Sequence, residues 1–382
     1  MIAPPTFASL QEHVSRLGDI EFWQPYLVEI LERHRLTGAG RQPVAGFNAT
    51  YPIFLYGDVV VKLFGYSRSW LESHAGERAA YALLATDRGI AAPRLLAEGQ
   101  LYDDVGAAWP YLVTTRMSGV SWRNAELSVE QKLTVVADLG EQTRRVHALR
   151  PTGVATHADW SAVNVTAAAL HSSLPPHLIA QIDGYLARLA PFDRVFCHGD
   201  LVANHVFVEN GRLAGIIDWG DAMVTDRHYE LIQPYRDLFG CDKALLRVFL
   251  EASDWPVGKD FPRQALGLAL HRQAAGLAQP TYDGRLRAHR SPVPAATHRY
   301  ARRAGDLTLR PLGRLSFPRA ALVFCSSTLG GRCPTHAHFA LQVQCPGRLD
   351  SPIARDVDGL VGRVLAHLEL RVPDTEHIRA RR

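Results

Sequence analysis

The chain has 382 residues, 47% hydrophobic and 21% charged, with a formal net charge of +4. This is the composition of an ordinary globular protein, long enough for two domains or one large bilobal unit. The net charge is too small for this length to argue for a nucleic-acid partner, and none is expected. Five cysteines, odd in number and widely spaced, favour free thiols over a disulfide framework.

No apolar run approaches the roughly 20 residues needed to span a bilayer. The N-terminus lacks a basic segment followed by an apolar core, so no signal peptide is read there. The expectation is a cytoplasmic protein with no membrane partner.

Residues 8–36 carry helical periodicity, with Phe22, Tyr26, Val28, Ile30 and Leu31 on one face and Glu29, Glu32 and Arg33 on the other. Gly46, Asn48 and two prolines break the pattern over residues 41–52. Residues 53–56, Gly57-Asp58 and residues 59–64 read as strand, tight turn, strand. Lys62 ends a β-branched run, where its amine projects from a sheet into a cleft or snorkels at a strand end. Residues 69–86 form an amphipathic helix with Leu71, Ala75, Ala79, Ala82 and Leu83 inward; Glu77, on its polar side, is placed to face the Lys62 strand. Residues 93–97 and 109–117 read as two further strands. The second runs into Ser118-Gly119, and the lobe boundary is placed near residues 114–119.

Residues 128–148 predict a long helix with Leu133, Val136, Leu139 and Val146 as its stripe and a capping box at Ser128 and Gln131. His147 at its end reads as a capping or packing histidine. Residues 174–189, 226–239, 243–252 and 261–278 are also expected to be helical. From about Gln279 lysine disappears, arginine becomes frequent, and Pro, Gly, Ser and His are scattered without period. Residues 357–370 are the one late helical pattern. Cys333, His336, His338 and Cys345 offer zinc-type ligands, but at a spacing that matches no ligand pattern. The tail composition is compatible with disorder.

Residues 197–221 are the most informative stretch. Asn210-Gly211 between the apolar runs 206–208 and 213–217 is a hairpin signal. The hairpin brings His198, Asp200, Asn204 and His205 towards Asp218 and Asp221. Carboxylates at the ends of short apolar strands suit metal and phosphoryl chemistry.

Taken together, the strand turn at Gly46, Lys62, Glu77, His198-Gly-Asp-Leu and Ile217-Asp-Trp-Gly-Asp resemble the aminoglycoside phosphotransferase family. Glu21-Phe-Trp-Gln-Pro, Val61-Lys-Leu-Phe-Gly, Trp109-Pro-Tyr-Leu-Val and Arg116-Met-Ser-Gly are similar to its hygromycin B 7″-O-phosphotransferase branch. The likeness covers roughly residues 18–277. It implies an α+β, bilobal, protein-kinase-like fold. Residues 1–115 would be a β-rich nucleotide-binding N-lobe, 116–278 a mainly helical catalytic and acceptor-binding C-lobe, and 279–382 an irregular extension.

The resemblance implies ATP as phosphoryl donor, Mg²⁺ as metal and a cationic, aminoglycoside-like acceptor. Asp200 would orient the acceptor hydroxyl and take its proton. Lys62 would hold phosphates and Glu77 would orient Lys62. Gly46 and Asn48 would lie in the phosphate-covering turn, and Thr114 to Met117 would line the adenine pocket. Asp218 would ligate the metal, with His205 where many members carry asparagine. Imidazole suits Mn²⁺ better than Mg²⁺, so a shifted metal preference is expected. Asp221 and Asp226 would support the loop or face substrate, and Asp237, Asp242, Glu251, Asp254 and Asp260 are available to recognise a polycation. A kinase of another hydroxylated metabolite, or a weakly active kinase-like binding protein, stands beside this reading. Past Ala278 the likeness stops, and the change resembles an altered reading frame or a fused extension.

Overall fold

A computed structural model of the protein describes residues 2–277, apart from 37–41, 48–49, 67–69, 104–107, 152, 155–163, 171, 173 and 190. The first helical stretch, expected over residues 8–36, arises as two helices. α1 (Leu10–Arg16) and α2 (Ile20–Arg33) are capped separately, by the side chains of Ser9 and Asp19 accepting from Glu12 N–H and Phe22 N–H. Gly18-Asp19 therefore ends one helix and starts the next. On α2, Leu27 rather than Val28 faces inward, because the stripe from Trp23 passes through Leu27 to Ile30 and Leu31. Val28 is exposed.

That stripe packs on a five-stranded antiparallel sheet. Its strands are β1 (Val44–Ala45), β2 (Ile53–Tyr56) and β3 (Val59–Leu63), then, after helix α3 (Trp70–Leu84), β4 (Leu95–Gln100) and β5 (Pro110–Thr115). The spatial order β1-β2-β3-β5-β4 makes β3 the central strand. Lys62 pairs there with Ile53 on one side and Leu112 on the other. Phe54, Val61, Leu63, Tyr111 and Val113 bury the face beneath α2.

After β5, β6 (Val120–Ser121) leads into the capped α4 (Val129–His147), whose Ser128–Gln131 capping box is present. The expected helix over 174–189 is two short ones, α6 (Pro176–Ile179) and α7 (Ile182–Leu186), preceded by α5 (Val165–Ala169). β7 (Val195–Cys197), β8 (Val206–Glu209), β9 (Arg212–Ile216) and β10 (Met223–Thr225) follow. β7 pairs with β10, and β8 lies between β6 and β9. Asn210 and Gly211 both take positive φ, 53° and 72°, as a type I′ hairpin requires.

The helix expected over 226–239 is α8 (His228–Gln233) followed by a π turn over Pro234–Leu238. Pro234 has no N–H to return to Glu230, so the regular ladder cannot continue through it. α9 (Lys243–Ala252) and α10 (Phe261–Leu277) complete the described fold.

One core runs through both halves, from Phe64, Tyr81 and Leu84 to Val136, Leu139, Phe196, Val206, Trp219 and Phe249. Among the described residues no helix is long and apolar enough to cross a membrane. The tail beyond residue 277, with its late helical pattern and its Cys333–Cys345 cluster, lies outside the described residues.

Gly119 sits where the chain passes from β5 to β6. Its φ is 77°, and a Cβ there would lie 2.1 Å from the Val208 carbonyl oxygen. Gly119→Ala combines backbone strain with that clash and should cost about 2–3 kcal/mol of stability. Denaturant unfolding measures it; a loss below 0.5 kcal/mol, an ordinary surface effect, would contradict the close packing.

Candidate active site

The site begins with the central-strand lysine. Lys62 Nζ donates to Glu77 Oε2 at 2.7 Å and to Asp218 Oδ1 at 2.9 Å. The lysine side chain is 12% exposed and that of Glu77 3%. Glu77 is therefore on the buried face of α3, with Ala80, Tyr81 and Leu84, whereas Leu71, Ala75 and Ala82 are exposed. Glu77 faces the Lys62 strand and Leu83 is buried as expected, but the expected inward positions Leu71, Ala75 and Ala82 are not. A glutamate counts as an outward residue in any polarity pattern, but here Lys62 and the Tyr81 hydroxyl, which donates to Glu77 Oε1 at 3.2 Å, satisfy it inside.

Burial opposes charge on Lys62, yet Asp218 and Glu77 hold its ammonium well above the usual lysine range. Burial likewise works to raise Asp218, but Lys62 and His205 keep this carboxyl well below the ordinary carboxylate range. Glu77 is pushed up, first by burial and also by Asp218. Two carboxylates thus share one ammonium, with the more exposed Asp218 keeping the negative charge.

Asp218 adopts a left-handed conformation, φ 63°, a region in which aspartate is tolerated better than most residues. The following turn, Trp219–Asp221, is anchored by the fully buried Trp219, whose indole N–H donates to Ile216 O at 2.9 Å. The facing loop runs from His198 to His205. Gly199 has φ 82°, and a Cβ on it would meet Asp221 O at 2.0 Å, so the two loops touch through a glycine. His198 accepts from Asp200 N–H at Nδ1 (3.1 Å), and its Nε2 lies 2.9 Å from Ile217 O, which ties both loops together.

His205 lies between the two aspartates. Its Nδ1 is 2.8 Å from the Asp200 carbonyl oxygen and its Nε2 is 3.4 Å from Asp218 Oδ2. Nδ1 therefore carries the proton in the neutral ring, and the Nε2 lone pair points to the carboxylate. That pair of donor atoms fits one divalent cation. Burial lowers the basicity of His205, but Asp218 and Asp200 outweigh it and the pKa is raised. Asn204 turns away and accepts from Arg123 Nε at 3.0 Å.

Other candidates fall in different places. Gly46 donates its N–H to Ile53 O at 2.8 Å, beside the sheet, while Asn48 lies outside the described residues. Thr114 is buried on β5 opposite Val60. Met117 packs its thioether over Gly215 of β9, where a Cβ would meet it at 2.1 Å.

The acidic residues offered for a polycation are partly committed elsewhere. Asp237 accepts from Ala203 N–H and from Arg123, both at 2.6 Å, so it braces the 198–205 loop. Asp242 caps α9, and Asp226 is buried against His228 and the Asp193 N–H. Asp260 pairs with Arg263 at 3.5 Å.

Three supports of the loop carry no motif signal. Gln233 Nε2 donates to Asp200 Oδ1 at 2.6 Å. Buried Arg272 donates to Gly199 O. Glu230 accepts the Gly199 N–H at 3.1 Å. They arrive from α8 and α10, and only the tertiary fold brings them to the loop.

Asp221 is at the rim, exposed yet surrounded by protein mass. Burial, then Asp200 and Asp218, raise its pKa to about 6. A carboxyl raised on folding is a cost above its folded pKa, and that cost vanishes below the unfolded value of about 4. Asp221→Asn should therefore raise Tm at pH 7.5, with the gain shrinking through pH 6 and gone by pH 4. A gain independent of pH would contradict this.

The sequence profile of the phosphotransferase enzyme family (APH) matches residues 53–261, more than half of the chain. An aminoglycoside 3′-phosphotransferase of Streptomyces fradiae is 30% identical over 167 residues, which cover 39% of this chain and 59% of that protein. The chain thus spans about three-fifths of that relative's length. Among solved structures, the GDP complex of aminoglycoside 2′-phosphotransferase-IIIa superposes with a TM-score of 0.54 at 18% identity, covering 67% of this chain and 89% of that one. Its GDP and kanamycin complex gives 0.52 at 18% identity, over 66% and 90%. At that identity the likeness establishes the fold, which is α+β and kinase-like. The chain belongs to the phosphotransferase enzyme family.

Proposed function

We propose that this protein is an ATP-dependent O-phosphotransferase that moves the γ-phosphoryl group to a hydroxyl of an aminoglycoside-like small molecule, with a hygromycin-type antibiotic as the first candidate. The observation that carries the reading is the chain of contacts Glu77–Lys62–Asp218–His205–Asp200, which joins a strand ammonium to two loop carboxylates. Phosphoryl transfer needs chiefly positioning and charge neutralisation, and this chain offers both.

In this reading Lys62, oriented by Glu77, holds donor phosphates. Thr114 to Met117 border the adenine, and the turn carrying Gly46 and Asn48 covers the phosphates. Asp200, with Oδ1 held by Gln233, directs Oδ2 to the acceptor hydroxyl and receives its proton. Asp218 and His205 would hold Mg²⁺ or Mn²⁺, which when bound neutralises phosphate charge. The domain division at residues 115–116 assigns the nucleotide to the sheet side and the acceptor to the helical side.

The relatives' acceptors support the aminoglycoside class: one solved neighbour is a kanamycin complex. A kinase for an uncharged hydroxylated metabolite is the second reading. It is favoured by the engagement of Asp237, Asp242 and Asp226 in internal bonds, which leaves them unavailable to a polycation.

An ATP-turnover screen over hygromycin B, kanamycin and simple sugars separates these readings. Turnover is expected with an aminoglycoside and should fall about 10²- to 10⁴-fold in Asp200→Ala. Turnover that survives Asp200→Ala overturns the assignment. His205→Asn is expected to shift the Mg²⁺/Mn²⁺ activity ratio towards Mg²⁺; identical metal profiles in the two proteins would remove His205 from the metal set.

A further inference from the structure

Behind the 198–205 loop lies a second cluster of ligand-type side chains that the transfer chemistry does not use. α4 ends on His147, β7 ends on Cys197, and α8 carries Glu230 in its first turn. All three are buried, with 9%, 0% and 3% of their surface exposed. Among the described residues they are the one set of three ligand-type side chains whose donor atoms all lie within 4.8 Å of one another.

The contacts within the cluster are long. His147 Nε2 is 3.6 Å from Glu230 Oε2 and 3.9 Å from Cys197 Sγ. The first exceeds a good hydrogen bond. His147 Nδ1 is buried without a partner. Three polar groups in an apolar setting are thus poorly satisfied by one another, although buried polar groups are normally paired.

The same distances are close to those of a metal shell. Tetrahedral zinc, with bonds of about 2.0–2.1 Å to nitrogen or oxygen and about 2.3 Å to sulfur, separates N from S by about 3.5 Å and N from O by about 3.3 Å. The two His147 distances lie within a few tenths of an ångström of these values, and the Cys197 and Glu230 donor atoms lie within 4.8 Å of each other. Thiolate, imidazole and carboxylate are also the donor types zinc takes.

The surroundings allow this without dismantling the loop support. Glu230 uses Oε1 for the Gly199 N–H and presents Oε2 to His147, so a cation on Oε2 leaves the first bond in place. A cavity of about 10 Å³ borders Glu230 together with Thr143, Val146, His198, Leu201 and Trp219, so the packing beside this carboxylate has some room to adjust. Loss of the Cys197 thiol proton to solvent gives two anionic ligands, and with a divalent cation the site is neutral, the form a low-dielectric interior tolerates best.

We propose that His147, Cys197 and Glu230 form a structural site for a zinc-class divalent cation. It is separate from the Asp218–His205 pair, and it pins the loop that carries Asp200. The inference does not depend on the acceptor or on turnover.

The test uses the full chain with Cys241, Cys325, Cys333 and Cys345 changed to Ser, so that Cys197 is the single thiol. The protein is stripped with chelator and titrated with Co²⁺ and Zn²⁺. The expected result is a near-ultraviolet thiolate-to-cobalt absorption that saturates at one equivalent, and a rise of Tm with Zn²⁺ that Mg²⁺ does not give. The band should be lost in Cys197→Ala, and the zinc shift should shrink. Cobalt binding at Asp218 and His205 alone would give no thiolate band, so the two sites are distinguishable. Absence of the band from the single-thiol protein overturns the proposal even if Cys197→Ala fails to fold. A band that persists in Cys197→Ala overturns it as well.

Discussion

The ammonium of Lys62 is the point on which the site depends. It is the one cation between two carboxylates from different parts of the chain, Glu77 on α3 and Asp218 after β9. A buried ion pair is weak evidence for stability, because desolvation consumes most of the attraction. Its value here is geometric. Lys62 is held on the central strand of the sheet, Glu77 on the helix that packs beneath it, and Asp218 on the loop of the helical half. The three charges therefore tie the sheet to the helical half of the fold. The set carries one more negative charge than positive, and the excess sits on Asp218, its most exposed member.

The helical half supplies a second constraint, which acts on Asp200 rather than on Lys62. Glu230 holds the Gly199 N–H, Arg272 the Gly199 carbonyl, Gln233 the Asp200 carboxylate, and Asp237 the Ala203 N–H. Four polar groups of the loop are thus matched from outside it. The π turn after α8 is part of the same device, since Pro234 interrupts the helix within the span that presents Gln233 and Asp237. Such external bracing restricts the Asp200 carboxylate, which a loop alone would leave in several rotamers.

Sequence reasoning reaches this fold unevenly, for physical reasons. The hairpin at Asn210-Gly211 is legible because its turn demands positive φ at two positions and few residue types accept it. The β2–β3 hairpin and the capping box at Ser128 follow equally local rules. Lys62, Glu77, Asp200, His205 and Asp218 are singled out in the sequence through resemblance and spacing, and the fold brings their side chains together. The burial of Glu77 is not legible there, since its compensation by Lys62 and Tyr81 is tertiary. For the same reason Asp237 and Asp242 looked available to a cationic acceptor and prove to be a loop brace and a helix cap. Gln233 and Arg272 carry no motif at all; their roles exist only because α8 and α10 pack beside the loop.

The account's central claim is that Asp218, held by Lys62 on one side, meets the metal of a nucleotide on the other. Equilibrium binding of ATP with and without Mg²⁺, to the native chain and to Asp218→Ala, tests it most directly. The native protein should bind ATP more tightly when Mg²⁺ is present, and Asp218→Ala should lose that increment while still binding the metal-free nucleotide through Lys62. An Mg²⁺-dependent increment of equal size in both proteins would contradict the account.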